Sequence, residues 1–181
     1  MGVVLVAVDD RLAAPGPAGP ASELRSDGLA HLRTDGVEHL VQAVVQSVTD
    51  ADPAAEPGAT FLGVDPDDRT VVGTCGFLGP VRGGRVEIAF WTFPPFEGRG
   101  WATAMARALV NRAFSDPAVH TVVAHTLPER APAAGVLKAN GLVRVQERRR
   151  DETPDDGGAP VRGRVWRWEL RRPSRAGPPE G

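Results

Sequence analysis

The chain has 181 residues, 41% hydrophobic and 24% charged, with a formal net charge of -2 at pH 7, which suits one domain with an ordinary buried core. The near balance of charge gives no electrostatic basis for binding nucleic acid or an anionic membrane, and the single cysteine, Cys75, rules out an internal disulfide. Small molecules or another protein are the expected partners.

In chain order, Val3 to Val8 reads as a short buried strand. It is too short to span a bilayer and lacks a basic leader region, so a cytoplasmic chain is expected. Pro15, Gly16, Pro17, Gly19 and Pro20 mark a loop. From Gly28 to Val48 apolar residues recur at helical spacing, predicting one or two helices with a break near Gly36. After a Pro-, Ala- and acid-rich linker, Ala59 to Val64, Thr70 to Leu78 and Arg85 to Phe93 form three apolar runs. They are separated by Pro66-Asp67-Asp68 and by Gly79-Pro80 through Gly83-Gly84, which predicts an antiparallel meander.

A helix is expected from about Gly100 to Asp116-Pro117, with Ala106, Leu109, Val110 and Ala113 inward. His120 to Thr126 is a β-branched run that returns a strand beside the meander, and a helix from Ala131 to Ala139 stops at Asn140-Gly141. Val143 to Arg148 and Arg164 to Leu170 make two last strands around a loop centred on Asp155 to Gly158. One domain over 1–172, its core over 59–170, and a disordered tail over 173–181 are expected.

The stretch from Phe90 to Phe114 joins a strand, a loop with two glycines around one arginine, and a helix start. Gly98 and Gly100 let backbone amides approach a ligand, and the first helical turn offers amides without internal partners and a partial positive charge. A phosphate is the usual guest of such a place.

Two strings in this order, Glu97-Gly98-Arg99-Gly100-Trp101-Ala102 and Leu137-Lys138-Ala139-Asn140-Gly141-Leu142, resemble motifs of the GCN5-related N-acetyltransferase superfamily. The surrounding VEIAFW and GWATAMARALVNRAF are similar to the ribosomal-protein N-terminal acetyltransferase-like branch. The resemblance implies an α+β, three-layer fold. Its mixed, mostly antiparallel sheet would have six to seven strands, a splayed fourth and fifth pair, and helices on both faces. It also implies acetyl-CoA as donor, with Phe90, Trp91 and Thr92 bonding pantetheine and Gly98, Arg99, Gly100, Trp101, Ala102 and Thr103 cradling pyrophosphate.

Three positions depart from the family pattern. Glu97 replaces the usual Gln or Arg and puts a carboxylate near a phosphate, which leaves Arg99 to carry the local positive charge. Arg130 replaces an Asn, with Ala133 where Ser is common, and an arginine there could reach a phosphate instead.

Transfer of an acetyl group to an amine needs a proton acceptor near the amine. The family often places a carboxylate at the end of the fifth strand, where this chain has His125, a residue type that changes charge near neutral pH. Glu87, on one strand face with Ala89 and Trp91, is the second candidate. The alternatives are that His125 packs at a strand end and that Glu87 is a solvated strand carboxylate. The chain has no tyrosine, and Leu137 stands where many relatives place a tyrosine acid. Four histidines and one cysteine without ligand spacing argue against a metal site.

The expected activity is acetyl transfer from acetyl-CoA directly to a primary amine of a small molecule or protein N-terminus. The alternative is a non-catalytic acyl-CoA-binding or regulatory module, suggested by Glu97, Arg130, Ala133 and the missing tyrosine.

Overall fold

Seven strands form one sheet in the computed structural model: β1 (Val4–Val8), β2 (Thr60–Val64), β3 (Val71–Phe77), β4 (Arg85–Thr92), β5 (Thr121–Thr126), β6 (Val143–Arg148) and β7 (Val165–Arg171). Three helices accompany them, α1 (Glu38–Thr49), α2 (Trp101–Ser115) and α3 (Ala131–Ala139). The structure describes residues 2–8, 31–49, 58–128, 131–148 and 164–173. Expectations placed on the 15–20 loop, the 50–57 linker, Arg130, the loop between the last two strands and the tail from 174 lie outside those residues.

The sheet order is β1-β2-β3-β4-β5-β7-β6. All neighbouring strands pair antiparallel except β4 and β5, which run parallel because α2 carries the chain back across the sheet. That parallel pairing covers only Arg85 with Thr121, Val86 with Val122 and Glu87 with Val123. Beyond Glu87 both strands continue, β4 to Thr92 and β5 to Thr126, without pairing to each other. The strands therefore open into a fork, as the splayed pair implied.

Alternation along the strands gives each face its own core. On one face α2 and α3 pack over Phe61, Cys75, Ile88, Val122, Ala124 and Trp168 through Met105, Leu109, Ala134 and Leu137. On the other face Val37 and the α1 residues Val41 and Val45 close over Leu62, Val64, Val71 and Phe93. The largest of these side chains each contribute about 1.5–3 kcal/mol by leaving water. Trp168 stays buried with its indole N–H donating to Thr126 Oγ1 at 2.9 Å. Leu137, the position of the absent tyrosine, is wholly buried in this core.

Met105 of α2 lies over two strand glycines: a Cβ at Gly63 would stand 2.5 Å from Met105 Sδ, and one at Gly73 would stand 2.9 Å from Met105 Cε and closer still to the Trp91 carbonyl of β4. Side chains there would displace the tip of Met105 and, at Gly73, press on the backbone of β4. Asn140 holds the same region from α3, its amide donating to the Thr103 carbonyl of α2 at 3.2 Å and to Val136 O at 2.9 Å. At the far end of α2, Arg172 donates to the carbonyls of Phe114, Asp116 and Val119, satisfying helix-end groups and tying down the end of β7. No described helix is long and apolar enough to cross a membrane.

Candidate active site at the fork of the sheet

The chain leaves β4 through a short 3-10 turn, Pro94–Phe96, and enters α2 from Gly100. Gly98 and Gly100 have φ of 73° and 85°, in the left-handed region that side chains disfavour. A Cβ at Gly98 would meet nothing within 4 Å, so conformation rather than crowding calls for glycine there. Gly100 is the N-cap of α2 and gives no side-chain cap, which leaves the first amides of a 15-residue helix open at the fork.

Glu97, Gly98, Arg99 and Gly100 are exposed, Trp101 is buried, and Ala102 and Thr103 are half-buried. With Glu97 in solvent, its carboxylate is screened from an anion held by the amides.

The backbone of β4 beyond Glu87 faces two ways. Leu78 N–H donates to Glu87 O and Phe93 N–H to Val72 O, so odd-numbered residues of β4 bond toward β3. The alternate residues, Phe90 and Thr92, turn their amides and carbonyls toward the fork, whereas the backbone of Trp91 is directed at β3. Thr92 adds a second sign of a ligand: its Oγ1 is buried and has no hydrogen-bond partner among the described residues. A buried hydroxyl left in that state is uncommon and calls for a partner. An open helix N-terminus, left-handed glycines, an unsatisfied hydroxyl and unpaired strand backbone fit a long anionic ligand laid along β4 with its phosphates at α2.

At the root of the fork the two candidate proton acceptors meet. His125 Nδ1 and Glu87 Oε1 are 2.8 Å apart, and each side chain is 23% exposed. The sequence presented them as first and second choice, 38 residues apart. The structure brings them together as one pair. An ionised carboxylate only accepts, so Nδ1 carries the proton and the Nε2 lone pair is left to accept another. Strand register makes this possible: Glu87 is level with Val123, and His125 lies two residues further along β5 on the same face.

His125 also pairs with Arg167 across β7, and Glu169 is opposite Val123. Arg167 Nε donates to Glu169 Oε1 at 2.9 Å, with those side chains only 8% and 14% exposed. Composition and spacing gave no sign of this neighbouring ion pair. A β7 register is what would have exposed it. Arg130 lies outside the described residues. No group of three or more His, Cys, Asp or Glu among the described residues could hold a metal ion.

Residues 29–143 match the family model described as the acetyltransferase (GNAT) domain. The chain belongs to the GNAT acetyltransferase family. Among curated proteins there is no match. Solved structures with the same fold include a GNAT-family acetyltransferase from Bacillus anthracis, at 18% identity and a TM-score of 0.56 over 74% of each chain. A Vibrio cholerae protein assigned as a ribosomal-protein-serine acetyltransferase aligns at 15% identity and a TM-score of 0.56, over 77% of this chain and 76% of that one. Spermidine N-acetyltransferase from Vibrio cholerae, solved with CoA and spermine, aligns at 14% identity and a TM-score of 0.54 over 75% of each chain.

Proposed function

We propose that the protein is an acetyl-CoA-dependent N-acetyltransferase acting on a primary amine of a small molecule or a protein N-terminus by direct transfer. The observation that carries this reading is the Glu87–His125 pair at the root of the fork, beside the ligand-shaped stretch from Phe90 to Thr103.

The amides of Gly98 through Thr103 would hold the pyrophosphate, with Arg99 supplying positive charge, and the backbone of Phe90 and Thr92 with the Thr92 hydroxyl would hold the pantetheine arm. Arg130 is a further candidate for a phosphate, and Trp91 serves the site through its indole. When bound, acetyl-CoA supplies an activated acetyl thioester. His125 Nε2 accepts a proton from the incoming ammonium, directly or through one water, which frees the amine lone pair. Glu87 fixes the imidazole in the tautomer that can do so and stabilises the imidazolium that results.

The test is release of free thiol from acetyl-CoA in the presence of a panel of amines. Amine-dependent release is expected, and Glu87→Gln should lower it without unfolding the protein. Tight acetyl-CoA binding with no release for any amine would favour the non-catalytic acyl-CoA-binding reading instead.

A further inference from the structure

The face of the sheet that carries the Glu87–His125 pair also carries a groove. Its floor is a cross-strand row, Thr60 level with Gly76 and Gly76 level with Ala89, and Ala89 follows Glu87 by two residues on the same face of β4. Neither Gly76 nor Ala89 raises a side chain above the backbone that matters here, so the floor is low. Trp91 and Leu78 stand on the same face as walls, and they are 43% and 56% exposed. Leu78 is beside Glu87 itself, its amide donating to the Glu87 carbonyl at 2.9 Å. The groove has a volume of about 200 Å³.

Two features define what fits. The groove adjoins the proton-accepting pair through Leu78, which is bonded to Glu87, and through Ala89, so an occupant that reaches Nε2 of His125 with an amine can lay the rest of itself on Gly76 and Ala89. Its walls are an indole and an isobutyl group, and none of the described residues lining it is acidic. A second ammonium placed there would lose water without gaining a carboxylate, and one indole face compensates for only part of that. The carboxylates on this face of β4 and β7 are already engaged, Glu87 by His125 and Glu169 by Arg167.

We infer that the acceptor is a primary amine with an uncharged apolar tail, seated on Ala89 between Trp91 and Leu78, and not a polyamine. This deepens the acetyltransferase reading and rests on it. It also separates this chain from its Vibrio cholerae structural neighbour, which was solved with spermine bound.

The experiment compares kcat/KM for phenethylamine, hexylamine and spermidine in the intact protein, then repeats it with Ala89→Leu, which fills the floor, and Trp91→Ala, which removes a wall. The expected result is a preference of roughly tenfold or more for the two tailed amines over spermidine. Ala89→Leu should raise KM for those amines at least about tenfold, and Trp91→Ala should raise it severalfold, in each case with an unchanged melting temperature. Spermidine turned over as well as the tailed amines, or an Ala89→Leu variant with unaltered KM, overturns the inference. Titration of hexylamine into the CoA-loaded protein separates the two levels. Binding that Ala89→Leu abolishes, without thiol release, sustains the groove and removes the chemistry, while absence of hexylamine binding overturns the groove.

Discussion

Leu62 and His125 stand on the same face of one sheet, yet the two halves of that face do opposite things. Over β1 to β3 it is covered by α1, and Leu62, Val64, Val71 and Phe93 are buried against Val37, Val41 and Val45. From Glu87 across β5 and β7 the side chains are charged and paired instead, Glu87 with His125 and Arg167 with Glu169. The first half gains stability from water excluded by apolar packing. The second keeps polar groups partly desolvated, which strengthens their mutual interactions but requires each to find a partner. The fork in the sheet falls at the boundary, so the Glu87–His125 pair stands where an apolar scaffold ends.

Substitutions on either side of that boundary should therefore separate activity from stability. The largest effect belongs to the charged half. Glu87→Gln or His125→Ala is expected to lower kcat/KM by about 10²–10⁴-fold, with the double variant little worse than the singles because the pair acts as a unit. Additive losses in steady-state kinetics would break the dyad into two independent groups. A pH-rate profile that keeps its ascending limb in His125→Ala would remove His125 from the proton path.

In the apolar half, Leu62→Ala should cost about 2–5 kcal/mol in a denaturant titration while kcat stays within about twofold. A large kcat loss without destabilisation would erase the proposed division. At the loop between the halves, Gly100→Ala forces a side chain into φ of 85° and should weaken acetyl-CoA binding by about fivefold in calorimetry. Arg99→Ala should weaken it severalfold, with Glu97→Gln neutral or slightly favourable. The reverse order would mean that the exposed Glu97, not Arg99, faces the phosphates.

Away from the site, burial among apolar neighbours pushes the pKa of the Cys75 thiol up to about 12. The folded chain thus holds the neutral form more strongly than the unfolded one. That contribution is fully present below the ordinary thiol range and is lost as pH rises from 9.0 toward about 12. A thiol reagent at about pH 8 should leave native Cys75 unlabelled and react once denaturant is added. Stability should fall by about 1–2 kcal/mol between pH 8 and 10.5, and less in Cys75→Ala.

Much of this was legible beforehand. The hairpin turns at Pro66-Asp67-Asp68 and Gly83-Gly84 delimited the meander, and Asn140-Gly141 stopped α3 where Gly141 adopts φ of 82°. Gly98 and Gly100 marked the turn into α2 because positive φ leaves glycine few substitutes. Less legible was how residues far apart in sequence would meet. Strand alternation put Glu87 on a face, but only the parallel register of β4 and β5 makes that face shared with His125. The same applies to Arg167 and Glu169, which look like an ordinary charged strand pattern until β7 is placed beside β5. Trp91 was read as a pantetheine contact, and the pairing of β4 with β3 directs its backbone away from the fork.

The sequence by itself determined most of the elements, their order and the glycine loop before α2, because periodicity, turn chemistry and glycine conformation are local properties. The tertiary structure alone decided that Glu87 and His125 form a hydrogen-bonded pair, that Thr92 buries an unsatisfied hydroxyl, and that Gly76 and Ala89 of neighbouring strands line one groove. Each of those depends on which strands become neighbours and where they part. That choice belongs to packing across the whole sheet and cannot be read from any single stretch of the chain.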